Sequence, residues 1–107
     1  MTTTREELQK LAEVVGVNLY WTKLHGPVHV ESGAKWNPET NLADRYDLIR
    51  KAGLCVDWQF GTVVYEKNPD ENVILDWWFD VGDDASEWEA IKAACLEVAR
   101  SEEHTSE

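Results

Sequence analysis

Carboxylates and a tryptophan alternate with apolar residues in two segments of this 107-residue sequence, and their spacing is the feature that could support chemistry. Asp76, Trp78 and Asp80 follow one another at intervals of two, and Asp57 and Gln59 show the same interval upstream. Side chains two residues apart lie on the same side of an extended strand. We therefore predict that these five side chains form one acidic and aromatic binding patch on a sheet.

Carboxylates around an indole ring suit a cationic ligand or one rich in hydrogen-bond donors. A plainer interpretation is that the polar residues simply face solvent, as they do in an ordinary antiparallel strand that is buried on one side. A third is that Asp57, Asp76 and Asp80 serve a small metal-dependent enzyme. The sequence leaves these three interpretations open.

A second acidic cluster, Asp80, Asp83 and Asp84, precedes the last predicted helix. Three carboxylates can hold Mg²⁺ or Ca²⁺. Their spacing lacks the alternating pattern of a calcium-binding loop, and acids at a helix N-terminus complement the helix dipole. We therefore predict that the cluster is structural. Apart from the metal-dependent alternative above, we assign the protein no metal site and no cofactor.

The sequence shows no phosphate-binding loop, no nucleophile elbow and no basic stripe. Cys95 lies on the apolar stripe of the last helix, which predicts a buried thiol. Cys55 falls on a strand and has no recognisable His or Asp partner. No residue is predicted to be catalytic, and an enzyme is the less favoured class.

Three helices are predicted. The first spans 5–15, starts with overlapping T-x-x-E capping boxes and ends at Gly16. The second is capped by Thr40 or Asn41 and ends at Gly53, and the third is capped by Ser86. Its apolar stripe consists of Trp88, Ile91, Ala94, Cys95 and Val98. The apolar face of the second helix is predicted to consist of Leu42, Tyr46 and Ile49, flanked by Ala43 and Arg45.

Five strands are predicted: short ones near 17–24 and 28–31, then 54–60, 63–67 and 73–81. The short connections between the last three predict an antiparallel meander. In the last strand, Val73, Leu75, Trp77, Phe79 and Val81 are predicted to face inward and Trp78 outward. The order α-β-β-α-β-β-β-α predicts an α+β fold, an antiparallel sheet of three to five strands sandwiched by three helices.

Two tracts carry a resemblance to a known family. Residues 36–44 read W-N-P-E-T-N-L-A-D, and residues 85–95 read A-S-E-W-E-A-I-K-A-A-C. Together with the acidic helical start at 5–8, they resemble the phage ABA sandwich domain family, small proteins encoded by bacteriophages and prophages. The resemblance covers roughly residues 4–99. It implies a sheet with helices packed on it, but it carries over no catalytic residue and no assigned chemistry.

The chain has 21 acidic and 10 basic residues and a net charge of −11. A field of that sign repels nucleic acid and anionic membranes and attracts basic partners. No signal peptide and no membrane-spanning run is recognised, so the cytoplasm of the infected host is the expected location. We expect no direct binding to nucleic acid and no membrane association.

The last eight residues form a distinct tail. The codons AGA TCG GAA GAG CAC ACG TCT GAA encode residues 100–107, and these bases open a widely used short-read sequencing adapter. We therefore interpret 100–107 as adapter read-through from assembled environmental DNA, and residues 1–99 as one domain. Removing the tail takes away three Glu and one Arg and leaves a net charge of −9, so the acidity belongs to the domain.

The sequence thus predicts a small acidic phage accessory protein that acts by binding, with a host DNA-handling or defence protein as its target. The alternatives are the metal-dependent enzyme described above and a structural protein that self-associates through exposed tryptophans.

Overall fold

The computed structural model describes residues 3–24, 26–68, 70 and 73–105. The α+β class and the predicted order of elements are confirmed. The elements are α1 (Arg5–Val15), β1 (Leu19–Thr22), β2 (Gly26–His29), α2 (Leu42–Ala52), β3 (Cys55–Asp57), β4 (Thr62–Asn68), β5 (Val73–Trp78) and α3 (Asp84–Thr105). Helix α3 extends into the predicted tail, whose last two residues lie outside the described part.

Helix α1 follows its local signals. The Thr4 hydroxyl accepts a hydrogen bond from the Glu7 amide, and the Glu7 carboxylate accepts one from the Thr4 amide, which completes the predicted capping box. The backbone hydrogen bond from Thr4, reinforced by Lys92, outweighs desolvation and lowers the pKa of Glu7. At the other end Gly16 adopts φ 71°, the left-handed conformation that glycine tolerates best.

Helix α2 also has its predicted ends, with Asn41 as the N-cap and Gly53 as the C-cap. The predicted apolar face of this helix was right for Ile49 and wrong for Leu42 and Tyr46. The buried residues are Arg45, Leu48, Ile49 and Ala52, whereas Leu42 and Tyr46 are each about half exposed. An arginine occupies the inward face because hydrogen-bond partners from distant parts of the chain surround its guanidinium.

Helix α3 carries the predicted stripe, since Trp88, Ile91, Ala94, Cys95 and Val98 are all buried. It packs against α1, α2 and two strands of the larger sheet. Burial raises the pKa of the Cys95 thiol to about 12, because a thiolate there would lose its hydration.

The strands form two separate antiparallel sheets, a β1–β2 hairpin and a three-stranded sheet in the order β3-β4-β5. In the larger sheet Val63 and Phe79 are buried in the core beneath α3, with Val56, Tyr65 and Trp77 partly buried beside them. The inward placement of Phe79 and the outward placement of Trp78 match the predicted alternation. The predicted burial of Val73 and Val81 was wrong: both are exposed, because Val73 is the first residue of β5 and Val81 lies beyond its end.

Candidate functional site

The three-stranded sheet has one side under α3 and one side turned away from it. Alternation places on the second side a set of residues that we call the open face: Cys55, Asp57, Thr62, Val64, Glu66, Ile74, Asp76 and Trp78. Trp78 is 70% exposed and Ile74 56% exposed, unusually large fractions for apolar side chains of that size within a sheet.

Strand register brings Asp57, Asp76 and Trp78 onto the open face together. Asp57 pairs with Thr62, and Thr62 pairs with Trp78, so the three form one row across the sheet. Asp76 belongs to the neighbouring row, opposite Val64. Trp78 therefore has two carboxylates on its face of the sheet. Asp76 is two residues away on the same strand, and Asp57 is in the same row, two strands away.

Asp57 also has a local structural role that the sequence prediction missed. Its Oδ1 accepts hydrogen bonds from the amides of Gln59 at 2.9 Å and Phe60 at 3.0 Å. These bonds turn the chain directly after Asp57. The strand predicted over 54–60 therefore ends at Asp57, and Gln59 lies in the turn and not beside Asp57 on a strand face.

The turn exposes two aromatic side chains. Phe60 is 71% exposed, and Trp58 is 44% exposed and meets the Tyr46 ring edge-on with ring centroids 5.9 Å apart. At Gly61, φ is +75°, and the Phe79 amide donates to its carbonyl oxygen over 2.9 Å, which holds the turn beside the end of β5. A glycine four residues after an Asp was the sequence signal for this turn.

Asp80 lies two residues beyond the end of β5, and its amide donates to the Ser86 hydroxyl over 2.9 Å. The predicted capping role of Ser86 was wrong. Asp83 caps α3 instead, because its Oδ1 accepts from the Ala85 amide at 3.1 Å and the Ser86 amide at 3.3 Å. Asp80 is exposed at the end of the sheet, next to the open face but outside its strands.

Asp57 and Asp76, the two predicted site carboxylates within the strands, are too widely spaced to share a cation. Asp57 and Asp76 are two strands and one row apart, which corresponds to about 12 Å between their Cα atoms. Within the described residues, no cluster of three or more His, Cys, Asp or Glu side chains has a geometry that could hold a metal ion. The arrangement can instead surround an indole ring with negative charge.

The 36–44 tract is a structural unit. Asp44 accepts from the Asn37 amide at 3.0 Å, Asn37 accepts from the Glu39 amide at 3.0 Å, and Asn41 accepts from the Asp44 amide at 3.1 Å. Trp36 is buried in the core. These bonds fix the entry to α2 and explain the residue types of the tract without a ligand.

Arg45 joins this tract to α3. Its guanidinium donates to the carbonyl oxygens of Pro38 and Glu39 and to the carboxylates of Asp84 and Glu87, and lies 5.4 Å from the centroid of the Trp88 ring. Burial opposes its charge, but these partners outweigh the desolvation and raise the pKa of Arg45. Every donor group of the guanidinium is thus engaged, and the network serves stability rather than binding.

Comparisons with known proteins give no further assignment: no family model, no curated protein and no solved structure matches this chain. Among the helices of the described residues, none has the length and apolar character needed to cross a membrane.

Proposed function

We propose that this protein acts by binding, and that its open face binds a basic surface of another protein. The observation that carries this proposal is Trp78, whose side chain is 70% exposed beside Asp76 and in one row with Asp57. Exposed apolar patches with a polar rim mark interaction sites on soluble domains, and tryptophans are enriched among the residues that dominate protein interfaces.

The apolar surface continues beyond Trp78. Ile74 lies on the same face, and Phe60 and Val81 are exposed where the turn after β3 meets the end of β5. An apolar centre with a polar margin is the usual composition of a protein-binding surface. Because the polar residues at this margin are carboxylates, the complementary partner carries lysine or arginine around an apolar contact.

The overall charge supports the same kind of partner. A net charge of −11 accelerates encounter with basic surfaces and disfavours contact with nucleic acid. With the resemblance to the phage ABA sandwich family, this supports a phage accessory protein in the host cytoplasm. Its proposed target is a DNA-handling or defence protein, whose DNA-binding surface is basic and would be occupied by this acidic protein instead of DNA.

The test is a pull-down from host lysate at low and high salt with the wild-type protein and two matched triple variants. One removes three charges at the proposed surface: Asp57→Asn, Asp76→Asn and Asp80→Asn. The other removes three exposed charges elsewhere: Glu6→Gln, Glu13→Gln and Glu31→Gln. Asparagine at position 57 retains an oxygen that can accept the two turn hydrogen bonds, so the first variant keeps its fold.

We expect a partner that is retained by the wild type and the second variant and lost by the first, with weaker retention at high salt because of screening. Equal loss in both variants would mean that only net charge matters. Equal retention in both, at both salts, would refute a charge-driven surface. Concentration-dependent self-association abolished by Trp78→Ala would favour the structural alternative.

A further inference from the structure

Strand β5 forms one edge of the three-stranded sheet. It pairs with β4, and within the described residues it has no second strand partner. An edge strand presents a row of backbone donors and acceptors that another chain can use. Natural edges are usually protected by lysine, proline or a bulge on the strand. The six residues of β5, V-I-L-D-W-W, include neither lysine nor proline.

The hydrogen-bond pattern identifies which backbone groups face outward. The Phe79 amide donates to the Gly61 carbonyl oxygen, so at Phe79 the backbone points toward the neighbouring strand. In an antiparallel ladder this orientation alternates. Leu75 and Trp77 therefore bond to β4, whereas the amides and carbonyls of Ile74, Asp76 and Trp78 lie on the outer edge.

The same three residues place their side chains on the open face, in the order apolar, acidic, apolar. An added strand would thus bond to the backbone of Ile74, Asp76 and Trp78 and contact their side chains at the same positions. Charge decides between the possible occupants. Two copies of β5 would bring together two acidic faces of two strongly acidic molecules, which repel each other. A basic segment is instead attracted both by the acidic open face and by the net negative charge of the protein.

We propose that the outer edge of β5 binds an extended basic segment of the partner protein as an added antiparallel strand. This inference rests on the proposed function and specifies how its partner is recognised. The recognised segment has the pattern apolar-x-basic-x-apolar, with Lys or Arg opposite Asp76 and apolar side chains opposite Ile74 and Trp78. Backbone bonds supply affinity, and the alternating side chains supply selectivity.

The probe is a fluorescent seven-residue peptide of threonines with valine at its second and sixth positions and lysine at its fourth. Two methylated forms test the backbone contribution. N-methylation of the lysine removes an amide that would donate to β5. N-methylation of the threonine before it alters an amide that would point away from β5. We expect roughly tenfold weaker binding for the first form and unchanged binding for the second, because only the first loses a strand-to-strand hydrogen bond.

Two measurements on the protein complete the test. Peptide binding should slow amide hydrogen exchange at Ile74, Asp76 and Trp78 more than at Leu75 and Trp77, whose amides already bond to β4. Asp76→Lys should abolish binding of the lysine peptide and permit binding of the same peptide with glutamate at its fourth position. This exchange of charges shows that the variant remains folded.

Strand addition would be overturned if the two N-methylations weakened binding equally, or if only N-methylation of the threonine weakened it. If binding still depended on Asp76 and Trp78, the proposed function would stand and only the edge inference would fall. The same conclusion would follow if the peptide did not bind but a lysate partner was still lost by the open-face variants. Dimerisation through β5 would identify a second copy as the occupant and would also overturn the inference.

Discussion

Arg45 and Asp84 form an ion pair whose two members differ sharply in environment. Nη1 of Arg45 lies 2.7 Å from Oδ1 of Asp84, yet the side chain of Arg45 is 1% exposed and that of Asp84 is 69% exposed. Solvent screens the aspartate, and the arginine depends on its partners. Replacing Arg45 should therefore lower the free energy of unfolding much more than replacing Asp84.

Arg45→Ala is expected to lower the free energy of unfolding by about 3–5 kcal/mol, because it leaves a cavity and removes the donors that satisfy two carbonyls and the Glu87 carboxylate. Asp84→Asn should cost less than about 1 kcal/mol, since Asp84 is exposed to solvent and Arg45 keeps Glu87 as a carboxylate partner. Urea unfolding monitored by tryptophan fluorescence measures both. Arg50→Ala is the matched control, because Arg50 is 77% exposed and pairs with Asp47 of its own helix. Similar losses for Arg45→Ala and Arg50→Ala would contradict the network.

Stability should fall as the pH is lowered below about 4.5. The hydrogen bond from the Thr3 hydroxyl lowers the pKa of Glu39 from 4.5, and the hydrogen bond from Arg45 lowers the pKa of Asp84 from 3.8. In this range the unfolded chain binds protons that the folded protein does not, so acid favours unfolding. Above the unfolded-state pKa values the stabilisation is fully present.

Urea unfolding at a series of pH values checks this expectation. Glu39→Gln should reduce the slope of stability against pH below about 4.5, because glutamine does not titrate. Glu31→Gln makes the same substitution at an exposed position and is the matched control. Parallel curves for the wild type and Glu39→Gln would refute the linkage.

Features set by neighbouring residues were predictable from the sequence. The capping box of α1 and the terminal glycines of α1 and α2 depend on contacts within a few residues, and the buried stripe of α3 follows from the helical spacing of its apolar residues. The outward position of Trp78 followed from strand alternation alone.

Features that depend on distant partners were not predictable. Arg45 lies on the buried side of α2 because Asp84 and Glu87 meet it from positions 39 and 42 residues away. The loss of Gln59 from the site has a different cause. The alternating pattern predicted a longer strand. Instead, the amides of Gln59 and Phe60 donate to the Asp57 carboxylate, and the resulting turn ends the strand at Asp57. The placement of Asp57 in the same row as Trp78 could be known only from the strand register.

The two adjacent tryptophans of β5 should respond differently to truncation. Trp77 packs against the core and Trp78 faces solvent. Trp77→Ala is expected to cost about 3 kcal/mol, near the lower end for a core aromatic because the side chain is only partly buried. Trp78→Ala should change stability by less than about 1 kcal/mol. Thermal unfolding of both variants provides the measurement, and equal losses would mean that the open face is covered.

The two cysteines should differ in reactivity. Cys55 is exposed on the open face, whereas Cys95 is buried and its pKa is raised to about 12. A thiol-reactive reagent such as a chromogenic disulfide should modify one thiol of the native protein promptly at neutral pH, and the second only after unfolding in denaturant. Cys55→Ser should remove the fast phase and Cys95→Ala the slow one. Two fast phases in the native protein would contradict the burial of Cys95.

Gly61 and Gly53 allow backbone conformation and steric contact to be separated. Both glycines have φ +75°, but a Cβ at Gly61 would lie 2.3 Å from the Phe79 carbonyl oxygen, whereas a Cβ at Gly53 would meet no atom within 4 Å. Gly53→Ala should therefore cost about 1 kcal/mol, from the left-handed conformation alone. Gly61→Ala should cost distinctly more, because the turn must also move away from β5. Chemical unfolding ranks the two variants, and amide exchange at Phe79, whose amide donates to Gly61, reports the local displacement. Equal losses with an unchanged Phe79 amide would show that the turn does not hold the end of β5 in place.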